Sequence, residues 1–149
     1  SFNLSIFQKT LLARSISIME WAREATLLAG WVGMLFGVVS GATIGLFFHR
    51  EEWMGGYGSF RRRLTRLGHI AFFGLGFVNL FYGLTITAHP ISDGAAKLAA
   101  ISLITGLSTM SLCCFLTAWR KHPFRHFFFI PVCSTGAGIV ILLLNWGSA

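Results

Sequence analysis

Apolar residues dominate the chain in four long runs, at roughly Ala25–Phe48, Leu64–Ala88, Ala95–Trp119 and Phe127–Trp146. A bilayer core takes about 20 apolar residues as helix, and a helix is the one single segment that satisfies its own backbone hydrogen bonds in lipid. The runs therefore predict four transmembrane helices. The polar stretches between them are short, Arg50–Arg63, His89–Gly94 and Arg120–His126. Short links make sequence neighbours packing partners. The predicted fold is an all-α, polytopic antiparallel four-helix bundle over residues 25–149.

The first 24 residues read differently. Leu4, Phe7, Leu11 and Ile18 recur at helical spacing, with Gln8, Lys9, Arg14 and Ser15 on other faces. That pattern predicts an amphipathic helix lying in the membrane interface, or a tail ordered against a partner subunit. An uninterrupted apolar stretch and a small-residue cleavage site, the marks of a secretory signal, are both missing from it.

Composition sharpens the class. Of 149 residues, 54% are hydrophobic and only 11% charged, with a mean hydropathy of +0.69. Soluble domains carry about 25% charged residues, so a water-soluble globule is excluded. The net charge of +7 could suggest nucleic acid, but no soluble domain displays it. The first and third links hold Arg50, Arg61, Arg62, Arg63, Arg66, Arg120, Lys121 and Arg125, whereas the other side holds Lys9, Arg14, Arg23 and Lys97. Basic links stay cytoplasmic, which predicts both termini outside, in a bacterial inner membrane. Trp53 and Trp119 then mark the inner boundary, Trp21 and Trp146 the outer one.

Small residues predict where helices touch. Gly33, Gly37, Gly41 and Gly45 recur every four residues in the first span, and Gly76 and Gly83 stand seven apart in the second. Lipid gives no hydrophobic push between helices, so small residues that admit close backbone approach mark the contacts. The third span carries its own stripe, Ala95, Ala99, Ser102, Gly106, Thr109 and Cys113, and Pro131 should bend the fourth or define its first turn.

Candidate chemistry is sparse. Glu20, Glu24, Glu51, Glu52 and Asp93 all fall in the tail or links, so no span holds a mid-membrane acid for a proton or ion relay. His69 alone lies inside a span, about 8 Å deep at 1.5 Å per residue, on the face of Gly76 and Gly83. It suits either an axial haem ligand or a cross-helix hydrogen bond. For a b-type haem the second ligand would be His126, then His49, with Arg66 and Arg125 near the propionates. Cys113, Cys114 and Cys133 share its depth, and thiolates with imidazole suit copper or zinc, although Cys113 and Cys114 point about 100° apart on a helix. Arg61, Arg62, Arg63, Arg120 and Arg125 offer themselves to anionic phospholipids or to a partner.

The stretch Arg66-Leu-Gly-His69-Ile-Ala-Phe-Phe-Gly resembles the His-bearing helices of small bacterial respiratory membrane subunits. From the missing mid-membrane ionisable residues, the small size, the Gly-rich seam and the short links, the expected role is a non-catalytic integral subunit of a larger membrane complex, of the electron-transfer kind, with other membrane subunits as partners. The alternative is a haem-carrying redox subunit built on His69.

Overall fold

The computed structural model describes the backbone of residues 2–120 and 124–147, and the side chains of residues 18–120 and 126–147. Among these the chain is helical throughout: α1 (Phe2–Phe47), a 3-10 turn at Trp53–Gly55, α2 (Phe60–Ala88), α3 (Asp93–Trp119), a second 3-10 turn at Phe124–Phe128, and α4 (Phe129–Leu144). Four stretches are long and apolar enough to cross a membrane, Ile18–Phe47, Phe60–Ala88, Asp93–Trp119 and His126–Leu144. This is a multi-pass membrane protein.

Two boundaries differ from expectation. The second span begins at Phe60 because Arg61, Arg62 and Arg63 form the first turn of α2, where charge is tolerated at the membrane edge. The first 24 residues do not make a separate element. α1 runs from Phe2 to Phe47 as one helix, since no Pro or Gly interrupts residues 2–29. The side chains that would define an amphipathic face there, and those of Lys121, His122 and Arg125, lie outside the described residues.

Helix contacts follow the small residues, in opposed numerical order. Along α1 and α2, Thr26 and Leu27 meet Gly83, Gly30 meets Gly76 and Leu80, Gly37 meets Phe73, and Gly41 meets His69. Between α2 and α3, Tyr82 donates its hydroxyl to the Ala96 carbonyl at 2.7 Å, Asn79 Nδ2 donates to the Leu103 carbonyl at 3.2 Å, and Gly68 backs onto Cys114. Between α3 and α4, Leu103 fills the space over Gly138 and Thr135 that over Gly106. Pro131 is buried within the first turn of α4, a position where its missing N–H costs nothing.

The layering is uneven. α3 touches α1, α2 and α4 and is the most enclosed span, whereas α4 is the least and takes its main helix contact from α3. The main apolar cluster sits at one end of the molecule, where Ala22, Tyr82, Ile86, Ile91, Ala96, Ala99 and Leu103 pack together. A smaller one, Leu64, Cys114 and Ala118 with Phe128 against it, closes the opposite end. The first turn of α2 reaches the last turn of α3 at that end, where Arg61 Nε donates to the Ala118 carbonyl.

Candidate functional site

The link between α1 and α2 reverses the chain in a dozen residues. Met54, Gly55 and Gly56 have φ of 58°, 89° and 92°, a left-handed run that glycine enters without penalty. Ser59 then caps α2: its Oγ accepts from the Arg62 backbone N–H at 3.2 Å and donates to the Met54 carbonyl at 2.8 Å. The cap fixes where the first turn of α2 points. It turns Arg62 inward, beneath the link.

Arg62 is 1% exposed. Its Nη2 donates to the Phe48 carbonyl at 3.0 Å and its Nη1 reaches the Glu51 carbonyl at 3.4 Å. The guanidinium lies 4.7 Å from the Phe48 ring, 5.6 Å from Trp53 and 5.2 Å from Tyr57. Ring faces and carbonyl dipoles thus meet the buried charge. Among the described residues the ion pair is Arg23 with Glu24, so no carboxylate neutralises Arg62. Its Nε–H has no partner. Arg62 therefore does not stand on the exposed surface of the link beside Arg61 and Arg63. Two of its donors hold the link to the end of α1.

The other basic residues divide. Arg61 Nε donates to the Ala118 carbonyl at 2.9 Å, tying the first turn of α2 to the last turn of α3. Arg66 donates to the Tyr57 carbonyl at 3.1 Å and lies 4.6 Å from the Tyr57 ring. Arg63 and Arg120 are exposed and stand free to meet other molecules. A cleft of about 840 Å³ opens beside the link, lined by Phe48, His49, Glu51, Glu52, Tyr57 and Arg62 among others. An apolar groove of about 340 Å³ lies elsewhere, between Gly33, Phe36, Phe72 and Leu107.

His69 faces α1, in line with Gly76 and Gly83. A Cβ on Gly41 would lie 2.5 Å from its Cε1, 3.1 Å from Nε2 and 3.2 Å from Nδ1. Only glycine leaves room for this ring. Ser40 Oγ donates to the Gly37 carbonyl at 3.1 Å and shares a 3.3 Å hydrogen bond with His69 Nδ1. Which of the two donates across that bond is set by the imidazole tautomer. The Cε1 edge of the ring faces Gly41, and Phe73 stands edge-on 5.4 Å away. His69 is thus already engaged inside the bundle, its ring edge on Gly41, its Nδ1 on Ser40 and Phe73 beside it.

The remaining candidates do not converge on it. His49 is exposed in the first link and His126 is exposed in the turn that packs on α3. Cys113 and Cys114 are buried and Cys133 is exposed. No group of three His, Cys, Asp or Glu side chains suited to a metal occurs among the described residues.

The glycine register drifts. Gly33, Gly37 and Gly41 all face neighbours, but Gly45 has nothing within 4 Å of its Cβ position. The expectation that Gly45 belongs to the seam is corrected. Each four-residue step turns 400°, so a strict fourfold register leaves the contact face by 40° per step. The buried face of α1 instead runs Ala22, Thr26, Gly30, Gly33, Gly37, Ile44. Gly30 was the residue missed. A Cβ there would meet the Gly76 carbonyl at 2.8 Å, and one on Gly76 would meet the Gly30 carbonyl at 3.1 Å. A seven-residue spacing, 30 to 37 to 44, is the signal that finds it.

No protein-family model matches the chain, and neither the curated proteins nor the solved structures compared with it yield a match.

Proposed function

We propose that this chain is a non-catalytic integral subunit of a larger membrane assembly. In this reading the four spans cross a bacterial cytoplasmic membrane as an antiparallel bundle. The two basic links face the cytoplasm, with Arg63 and Arg120 toward anionic headgroups. The observation that carries the proposal is the outer face of α4. Cys133, Gly136, Ala137 and Val140 are exposed there at i, i+3, i+4 and i+7, and Gly136 has nothing within 4 Å. Small residues in lipid mark helix contacts, and none of the described residues covers these. The kind of assembly we favour is an electron-transfer complex, a reading that rests on the missing mid-membrane ionisable residues, the small size, the Gly-rich seam and the short links.

Cys133 makes the test direct, because Cys113 and Cys114 are buried. A short thiol–amine cross-linker applied to native membranes should join Cys133 to one discrete second membrane chain. Ala137→Leu should abolish that adduct while leaving the melting temperature of the purified chain unchanged. Failure to form an adduct, or an adduct with this chain alone, overturns the proposal. Sidedness is checked separately: a cysteine at Ser92 should react with an impermeant reagent in sealed cells, and one at Ser59 should not.

A further inference from the structure

The cleft beside the α1–α2 link contains a buried cation with one hydrogen-bond donor to spare. Arg62 is 1% exposed, lines the cleft, and leaves its Nε–H unpartnered. A charged donor held in this way is suited to a phosphate oxygen. Yet the same cleft is lined by Glu51 and Glu52, both exposed and neither bound to a cation in the described residues. Among the guanidinium and carboxylate groups lining the cleft, one positive side chain thus faces two negative ones.

That balance selects the ligand. A simple anion approaching Arg62 would be repelled by two carboxylates, and a simple cation would meet a buried guanidinium. A molecule carrying a phosphate and an ammonium a few bonds apart satisfies both. The cleft also has a place suited to such a molecule. It stands where the spans Ile18–Phe47 and Phe60–Ala88 end, the depth of headgroups, with the exposed rings of Phe48 and Tyr57 as an apolar wall. We propose that it binds a phosphorylated primary amine of the phosphoethanolamine type, phosphate toward Arg62 and ammonium toward Glu51 and Glu52. The lipid headgroup and the free compound share that chemistry. This inference is independent of the subunit reading.

The test uses the full chain in maltoside micelles, following tryptophan emission with a Trp53→Phe control, since the Trp53 ring lies 5.6 Å from the guanidinium. Short-chain phosphatidylethanolamine should saturate the signal about tenfold more tightly than phosphatidylcholine, whose methylated amine has no N–H, or phosphatidylglycerol, which has no amine, a margin equal to about 1.4 kcal/mol. Arg62→Lys should weaken binding but endangers the fold. The deciding variant is therefore Glu51→Gln with Glu52→Gln. Both side chains are exposed and make no hydrogen bond to the described residues, so melting should hold while the preference disappears. Equal affinity for phosphatidylglycerol, a preference that survives the double variant, or no saturable change overturns the proposal. Free phosphoethanolamine binding as tightly as the lipid supports the chemistry with a soluble source. Much weaker binding supports it with the lipid as source.

Discussion

α1 and α2 are joined twice, by opposite means. Along the seam they meet through the absence of side chains: Gly30 and Gly76 bring the two backbones so near that either Cβ would strike the other's carbonyl. At the link they meet through one large side chain, Arg62, which gathers two carbonyls and three rings. The seam is a dispersion contact, built from many weak atom pairs that fade quickly with distance. The link is an electrostatic knot whose strength is concentrated in a few directional bonds. One should yield to added volume, the other to lost polarity.

The knot should be the more fragile. Arg62→Met keeps much of the length but loses the charge-assisted bonds and ring contacts. It should lower unfolding free energy by about 3 kcal/mol, read in mixed-micelle denaturation. A change under about 1 kcal/mol would show that Arg62 is incidental to the link. Added volume in the seam comes next. Gly30→Leu should cost about 2 kcal/mol through overpacking against Gly76 and Leu80, and its cost should add to that of Arg62→Met because the two sites are distant. A smaller effect separates ring from backbone at Gly41. Gly41→Ala should cost about 1 kcal/mol and His69→Ala about 0.6 kcal/mol, yet the double variant should cost less than the sum, since removing the ring makes room for the methyl. Strict additivity would mean that the ring does not rest on Gly41. Gly45→Ala should be neutral or stabilising by a few tenths of a kcal/mol, since the added methyl meets open space and alanine favours helix.

How far the sequence foretold this depends on which physical signal each feature leaves. The four spans were legible because twenty apolar residues have few other uses, and the ends of α2 and α3 fall within a few residues of the expected ones. The seam was legible in kind and wrong in register. Small residues announce a contact, but a fourfold spacing and a helical turn of 3.6 residues part company within three steps, which lost Gly45 and hid Gly30. Arg62 was not legible apart from Arg61 and Arg63. Three adjacent arginines look alike until Ser59 sets the phase of the first turn, and burial of the middle one depends on aromatics brought in from Phe48, Trp53 and Tyr57. His69 faces α1 in line with Gly76 and Gly83, but neither spacing nor depth reveals that its ring edge rests on Gly41 and its Nδ1 on Ser40.

The unbroken length of α1 has a consequence of its own. Sixteen residues separate Phe2 from Ile18, where the apolar stretch of α1 begins, and at 1.5 Å per residue they extend about 24 Å. A continuous helix keeps its axis, so this extension acts as a ruler. It sets the reach from the start of the span to whatever the first turn of the helix touches. Deleting seven residues shortens that reach by about 10 Å and turns the tip by about 700°, within 20° of its original bearing, whereas deleting five leaves it facing nearly the opposite way. Distance and azimuth at the tip can therefore be tuned almost independently, by choosing how many residues to remove.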